Sequence, residues 1–202
     1  MTTKAHWETI YQTKLSTEVS WHQAYPELSL QLIQKAGILP DDPIIEVGAG
    51  TATLVDCLLE QGFNQLTVLD IASTALQQTQ ARLSNKAEKV HWIEADVTQF
   101  QPRQRYQYWQ DRAVFHFLTE AADRQSYLQV LKSALNLDGY AMIATFAADG
   151  PEQCSGLNVV RYDEQGICAE LGETFTLQQV CHETHITPSG NAQKFSYFLF
   201  KH

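Results

Sequence analysis

The chain has 202 residues, of which 44% are hydrophobic and 18% charged, and its formal net charge is −9. This composition is typical of one globular domain, and it excludes the strongly basic class of nucleic-acid binders, whose affinity rests on Lys and Arg contacts with phosphate. No apolar run reaches the length of a membrane span, so no membrane partner is expected.

The N-terminal stretch "HWETIYQTKLSTEVSWHQAYP" is rich in aromatic residues. Trp7, Ile10 and Tyr11 have helical spacing, which predicts an amphipathic helix. Such a helix either packs on the domain as part of its core or lines a ligand site. From residue 27 onward, a second helical pattern ends at Gly37, a residue that commonly stops helices.

Five short apolar segments then alternate with helical patterns: "IIEV", "LTVLD", "KVHWIEA", "YQYWQDRAVF" and "YAMIATF". Ser73 is placed to cap the helix after the second segment, and Asp138-Gly139 is expected to turn the chain into the fifth. Alternating strands and helices predict a parallel sheet that is covered on both faces.

The tail follows a different pattern. The segments "TFTLQQVCHETHIT" and "AQKFSYFLFKH" flank a Pro-Ser-Gly-Asn turn, which predicts an antiparallel hairpin. The predicted fold is therefore α/β: a Rossmann-like, doubly wound, mostly parallel seven-stranded sheet with an antiparallel C-terminal hairpin and helices on both faces. Ligands of such sheets bind beyond the carboxyl ends of the strands.

The loop after the first strand begins with a carboxylate, Glu46, and contains Gly48 and Gly50. It lacks the lysine of a phosphate-binding P-loop, and Thr53 stands where a dinucleotide fingerprint would have its third glycine. Phosphate is therefore disfavoured. A nucleoside without phosphate that carries positive charge suits this rim better, with Asp70 accepting hydrogen bonds from ribose hydroxyls.

Four segments in order, "IIEVGAGTATL", "LTVLDIAS", "IEADVTQF" and "DRAVFHFL", resemble the successive motifs of class I S-adenosylmethionine-dependent methyltransferases. The resemblance covers residues 40 to 147, and the closing hairpin agrees with the reversed final strand of that family. It implies a methyltransferase whose cofactor is S-adenosyl-L-methionine.

The resemblance also implies roles for individual residues around the cofactor and the methyl acceptor. The implied cofactor-binding residues are Tyr11, Trp21, Glu46, Gly48, Ala49, Gly50, Asp70, Ile71, Asp96, Val97 and Asp111. The implied catalytic residues are Asp111, Arg112 and His116, with His116 as the first candidate for a base. Structural alternatives stay open, since Glu46 could organise its own loop, Asp96 could form a turn, and His116 could be a core residue.

By this interpretation residues 1–202 form a single domain: an N-terminal lid or substrate segment (1–26), a cofactor-binding core (27–147), and a substrate loop with the hairpin (148–202). The expected reaction is in-line transfer of a methyl group to a small-molecule acceptor. The alternatives are a protein lysine methyltransferase, a cofactor-binding module without catalysis, and a nicotinamide-dependent oxidoreductase, against which Thr53 and Glu46 argue.

The four cysteines, Cys57, Cys154, Cys168 and Cys181, lack the paired spacing of a metal site. The start of the sequence, "MTTKAHWETI", has no basic-then-apolar signal pattern. We therefore expect a reduced, cytoplasmic protein without a bound metal. The sequence carries no signal for the oligomeric state.

Overall fold

The computed structural model describes residues 4–202 and confirms the predicted α/β fold. The strands are β1 (Ile44–Val47), β2 (Leu66–Asp70), β3 (Val90–Glu94), β4 (Tyr106–Arg112), β5 (Leu135–Phe146), β6 (Gln153–Cys154), β7 (Leu157–Asn158), β8 (Thr176–Ile186) and β9 (Ala192–Lys201). The α-helices are α1 (Lys4–Thr13), α2 (Glu27–Lys35), α3 (Leu54–Glu60), α4 (Ser73–Leu83), α5 (Ala121–Ala134) and α6 (Glu164–Leu171). Two 3-10 helices span Ser84–Lys89 and Phe115–Phe117.

The main sheet has seven strands in the order β3-β2-β1-β4-β5-β9-β8. Strands β1 to β5 run parallel, whereas β9 pairs antiparallel with both β5 and β8, which confirms the predicted hairpin. The chain order reverses between β1 and β4, so the carboxyl ends of these two strands flank the crevice where a doubly wound sheet binds its ligand. The small β6-β7 hairpin lies in the segment after β5.

Both faces of the sheet are buried because neighbouring residues of each strand point to opposite sides. On β1, Ile44 packs into the cluster that contains residues of α2 and α3, whereas Ile45 packs into the cluster that contains residues of α5. This two-layer cover explains why the parallel strands read as continuous apolar runs rather than as an alternating pattern.

The N-terminal helix α1 is anchored to the sheet domain by polar contacts. The Glu8 carboxylate accepts hydrogen bonds from the backbone N–H groups of Ser73 (2.8 Å) and Thr74 (3.2 Å) at the start of α4. Gln78 of the same helix donates to the carbonyl oxygen of Tyr11 (2.6 Å). Lys4 also pairs with Glu94. The helix predicted from the aromatic spacing therefore exists and packs on the domain.

Two local predictions were wrong. Ser73 is the first residue of α4 rather than its cap: Ala72 holds the cap position, and the capping acceptor comes from Glu8 of α1. Asp138-Gly139 does not turn the chain between two elements, because β5 begins directly after α5 and runs through both residues. The pairing of β5 with β4 is irregular over this stretch, and it resumes at Tyr140.

The described part of the chain was expected to lack membrane spans, metal sites and disulfides. Among residues 4–202, no helix is both long and apolar enough to cross a bilayer. The same part of the chain contains no group of three or more His, Cys, Asp or Glu side chains arranged to hold a metal ion. The four cysteines are free thiols.

A buried hydrogen-bond network joins the end of β4 to α5. The Tyr127 hydroxyl donates to Oδ2 of Asp111 (2.6 Å), and the Trp109 indole N–H donates to the Tyr127 oxygen (2.8 Å). Asp111 also accepts from the backbone N–H groups of Val114 (2.9 Å) and Phe115 (3.1 Å) in the following loop. The carboxylate of Asp111 thus fixes the path of the chain after β4.

We expect the substitution Tyr127→Phe to lower the free energy of unfolding by about 2–4 kcal/mol, because it leaves a buried indole N–H and a buried carboxylate short of one partner each. Urea denaturation measures this change. The control is Tyr140→Phe, since the Tyr140 hydroxyl is without a hydrogen-bond partner in the described part of the chain and the side chain is only partly buried. Equal effects of the two substitutions would contradict a role for the Tyr127 hydroxyl.

Candidate active site

A first cavity lies beyond the carboxyl ends of β1, β2, β3 and β4. Its walls are apolar and include Leu69, Ile71 and Val97, and the carboxylates of Asp70 and Asp96 stand at its edge. Because these residues follow strand ends, the parallel sheet brings together groups that are far apart in sequence. The cavity thus joins the two acidic residues predicted to hold a nucleoside.

Aromatic side chains form a roof over the first cavity. Trp7 and Tyr11 come from α1, Trp21 from the segment before α2, and Phe117 from the loop after β4. The Trp7 ring meets Phe117 edge to face at a centroid distance of 5.1 Å and Trp21 at 5.8 Å. These distances are typical of favourable aromatic pairs. The roof therefore links the N-terminal segment to the strand-end loop on which it rests.

The loop after β1 that contains Gly48 and Gly50, here called the glycine loop, is in close contact with Val114 and with Tyr11 of the roof. Gly48 and Gly50 have φ angles of +57° and +54°. A Cβ atom on Gly48 would lie 2.0 Å from the Val114 side chain, and one on Gly50 would lie 2.2 Å from the Tyr11 hydroxyl. Neither position has room for a side chain. The first cavity has a volume of about 100 Å³, below the roughly 300–1,000 Å³ of small-molecule sites, so ligand entry requires the roof to move.

Asp70 connects the loops that follow β1 and β2. Its Oδ2 accepts from the backbone N–H of Gly50 and its Oδ1 from that of Ala72, each at 2.7 Å. Burial raises the pKa of Asp70 to about 6, although these two hydrogen bonds oppose the shift. Each carboxylate oxygen keeps a second lone pair, so the group can still accept hydrogen bonds from ribose hydroxyls.

Asp96 can likewise hold its own loop and still accept a hydrogen bond from a ligand. Its Oδ1 accepts from the backbone N–H of Thr98 (2.8 Å) and from the Thr98 hydroxyl (2.7 Å), which makes it a turn former. Its Oδ2 has no hydrogen bond within residues 4–202 and is available at the cavity edge. Ile71 and Val97 border the same cavity and offer apolar surface for a base.

A second cavity lies between the glycine loop, α2 and the segment before α2, and Gly48, Trp21 and Arg112 border both cavities. Glu46 and Ala49 line this second cavity. Glu46 is only 7% exposed. Burial, with repulsion from Asp56, raises the pKa of Glu46 to about 8 despite the opposing charge of Arg82.

Arg112 holds the N-terminal segment against the C-terminal hairpin. Its Nε donates to the Tyr197 hydroxyl (2.8 Å), and its Nη1 donates to the carbonyl oxygen of Trp21 (3.0 Å). Its Nη2 lies 3.7 Å from a carboxylate oxygen of Glu183, and the guanidinium carbon lies 4.6 Å from the centroid of the Phe195 ring. This residue therefore positions the wall between the two cavities.

The other two residues assigned catalytic roles by resemblance do not border either cavity. Asp111 is fully buried towards α5, where burial raises its pKa to about 7 and Tyr127 and the backbone use its oxygens. The His116 ring is also fully buried, and its Nδ1 accepts from the backbone N–H of Phe146 (3.3 Å). Burial and the charge of Arg112 lower the pKa of His116 to about 3, so the ring is neutral.

Several residues at the first cavity carried no specific signal in the sequence. Asp123 reaches the edge from the first turn of α5, where an acidic residue is common for helical reasons alone. Val114 and Phe117 belong to the loop after β4, whose path is set by Asp111. Cys154 also borders the cavity, and burial raises its pKa to about 11, so it stays a thiol.

Comparison with known proteins bears on this site. Residues 44–139 match the sequence model of a family described as a methyltransferase domain. The eEF1A lysine and N-terminal methyltransferase of Mus musculus is 24% identical over 96 residues, which are 48% of this chain and 14% of that protein. The Xenopus laevis protein of the same name is 29% identical over 94 residues, 46% of this chain and 13% of that protein. The match thus spans about one seventh of the length of these relatives.

Solved structures share the fold over almost the whole chain. A SAM-dependent methyltransferase from Anabaena variabilis superposes with a TM-score of 0.76 and 17% identity, covering 100% of this chain and 96% of that one. The 1,6-didemethyltoxoflavin-N1-methyltransferase of Burkholderia thailandensis, solved with its substrate and S-adenosylhomocysteine, has a TM-score of 0.71 and 18% identity, covering 95% and 80%. At such identities the likeness establishes the fold.

The buried carboxyl group of Glu46 leads to a prediction on pH. Since its pKa lies above its ordinary value, the folded state binds a proton more tightly than the unfolded state between about pH 5 and 8. Relative to Glu46→Gln, the wild-type free energy of unfolding should therefore fall as pH rises through this range, by on the order of 3 kcal/mol. Urea denaturation at several pH values measures it. Glu88→Gln, at an exposed position, should leave the wild-type profile unchanged; parallel profiles for wild type and Glu46→Gln would contradict the prediction.

Proposed function

We propose that this chain, which belongs to the class I S-adenosylmethionine-dependent methyltransferases by its domain match and its fold, transfers a methyl group from S-adenosyl-L-methionine to a small-molecule acceptor. The observation that carries the proposal is the first cavity, in which the Asp70 carboxylate, an apolar slot and an aromatic roof meet beyond the strand ends. This combination suits a nucleoside that carries a cationic centre.

The residues at the strand ends suit the parts of this cofactor. Asp70 would accept hydrogen bonds from the ribose hydroxyls, while Ile71 and Val97 would pack on the adenine and Asp96 would accept from its amine. Gly48 has no side chain at the point where the two cavities meet, so a ligand can cross there once Val114 moves. Glu46 and Ala49 would then border the methionyl part, whereas Gly50 lines neither cavity and acts through its hydrogen bond to Asp70. When bound, S-adenosyl-L-methionine supplies an electrophilic methyl group.

The chain itself contributes alignment and exclusion of water. Trp7, Trp21 and Phe117 close over the cavity, and a ring face turned to the ligand favours a cationic centre. The proposal assigns no proton transfer to His116, because the ring is enclosed and its lowered pKa makes it a weak base. Asp111 acts through the loop after β4 as a positioning residue.

The aromatic roof favours a small acceptor. The roof rests on Phe117, and Arg112 holds the carbonyl oxygen of Trp21, so aromatic side chains already cover part of the space beside the cavity. A protein lysine acceptor is the second candidate. Its support is the similarity of 96 residues of this chain to the eEF1A lysine and N-terminal methyltransferase of Mus musculus, and a net charge of −9 that would attract a basic protein.

Calorimetric titration tests the cofactor. We expect the purified protein to bind S-adenosylmethionine and S-adenosylhomocysteine but not NAD, and Asp70→Ala to raise the Kd of both sulfur nucleosides by about 10- to 100-fold, the effect of losing hydrogen bonds to a charged group. Asp41→Ala, at an exposed position before β1, is the control and should bind as wild type does. Circular dichroism of each variant verifies folding. Binding of NAD alone would overturn the proposed function.

A labelling experiment tests the acceptor. The purified protein, incubated with a dialysed extract and methyl-labelled S-adenosylmethionine, should transfer label only after the small-molecule fraction is returned, since the proposed acceptor belongs to that fraction. Asp70→Ala, which weakens cofactor binding, should reduce the transfer at a cofactor concentration that does not saturate the variant. Label that appears in protein bands of the dialysed extract would instead support the lysine alternative.

A further inference from the structure

Two buried oxygen atoms in the second cavity have no hydrogen-bond partner among residues 4–202. They are Oε2 of Glu46 and Oε1 of Gln110, and both side chains line this cavity. Gln110 is only 1% exposed. Buried polar atoms without a partner are rare in folded proteins, and each one requires a physical explanation.

The strand register places these two side chains next to each other. Glu46 of β1 is the direct partner of Gln110 of β4 in the parallel pair, as Ile44 is of Tyr108. Side chains at paired positions stand on the same face of a sheet, here the face covered by α2. The amide nitrogen of Gln110 donates to the Ser29 hydroxyl of that helix (2.9 Å), which leaves the amide oxygen as the unpartnered atom of a side chain that lines the cavity.

A single donor group placed between two neighbouring acceptors can satisfy both of them. In the free protein a protonated Glu46 can donate to the Gln110 oxygen, and the raised pKa of Glu46 agrees with that state. An ammonium group from a ligand can instead donate to both oxygens at once. The donor between the two oxygen atoms can therefore be either the carboxyl proton of Glu46 or an ammonium group of a ligand.

We propose that Glu46 and Gln110 together bind one ammonium group of a ligand and that Glu46 releases its proton to solvent when this ammonium binds. The proposal rests on the proposed function, since the ammonium belongs either to the cofactor or to an amine acceptor. In the exchange, the O–H bond of the Glu46 carboxyl group breaks and its electron pair stays on the oxygen. The ammonium keeps its protons, and one proton leaves for each ligand bound.

Other charged or titratable groups lie near Glu46 and Gln110. His22 and Arg112 face the same cavity. Asp56 of α3, Arg82 of α4 and Asp70 of β2 act on Glu46 through their charge. The cationic Arg112, with the imidazole donor of His22, suits a carboxylate beside the ammonium, which favours an α-amino acid group such as that of the cofactor over a simple amine.

Proton release tests the proposal directly. S-adenosylhomocysteine carries the ammonium, whereas 5′-methylthioadenosine shares its nucleoside but lacks the amino acid part. Calorimetry at pH 7 in two buffers of different ionisation enthalpy should show that S-adenosylhomocysteine releases about 0.9 proton per site and methylthioadenosine none. If the ammonium belongs to an acceptor, release will appear only when ethylammonium is titrated into the protein saturated with S-adenosylhomocysteine.

Variants separate the two acceptors. For an ammonium from the cofactor, Glu46→Gln should bind S-adenosylhomocysteine more weakly and without proton release. Gln110→Leu should raise its Kd about tenfold or more while leaving the Kd of methylthioadenosine unchanged, because only the ammonium loses a partner. For an ammonium from an acceptor, the same two losses should appear in the ethylammonium titration. Ser16→Ala, at a residue that lines the same cavity and has no role in the proposal, is the control and should retain the release.

Two outcomes would contradict the inference in different ways. Tight binding of S-adenosylhomocysteine with no proton release in either titration, and with no effect of Gln110→Leu, would overturn it while leaving the proposed function intact. That result would mean that Gln110 presents its amide N–H to an ionised Glu46 and accepts from Ser29 with its oxygen. Failure of S-adenosylhomocysteine to bind at all would overturn the proposed function, and the inference with it.

Discussion

The carboxylate of Asp70 is the constraint on which the site depends. It holds the backbone of Gly50 in the loop after β1 and that of Ala72 before α4, so one side chain fixes two strand-end loops together. These hydrogen bonds help to hold the glycine loop, with its positive φ angles, close to Tyr11. The two oxygen atoms of Asp70 that would bind the ligand also hold these loops in place. A substitution of Asp70 therefore changes the free energy of ligand binding and the free energy of the loop conformation together.

Much of the fold follows from local sequence signals. The segments "IIEV" and "LTVLD" lie between helical patterns, and they form β1 and β2 at the predicted residues. The resemblance carried by four ordered motifs agrees with the match of residues 44–139 to the model of a methyltransferase domain. The errors arose where distant residues decide the local structure. Ser73 has capping chemistry, but Glu8 of another helix occupies that role. Asp138 and Gly139 stay within β5, where their carbonyl oxygens accept hydrogen bonds from the Gln107 side chain and the backbone N–H of His202.

The candidate site was less accessible to sequence reasoning, because it depends on which face of a strand each residue occupies. Asp70 and Asp96 follow the ends of β2 and β3 and reach the first cavity as expected from that position. Asp111 also lies near a strand end, but β4 is buried on both faces, so no alternation in its sequence reveals that this carboxylate points to α5. Gln110 has no charge and acquires its partner, Ser29, only through the tertiary fold.

The contact between Glu8 and α4 has a consequence for affinity. Glu8 belongs to α1, the helix that carries part of the roof, and it caps the first turn of α4. In an open form, in which α1 has moved away, the N–H groups of Ser73 and Thr74 are left to bind water. Losing such a cap costs about 1 kcal/mol, which lowers the population of the open form roughly fivefold. If the protein binds its cofactor through that form, the observed on-rate is reduced by the same factor, and α1 contributes to association kinetics without contacting the ligand through Glu8.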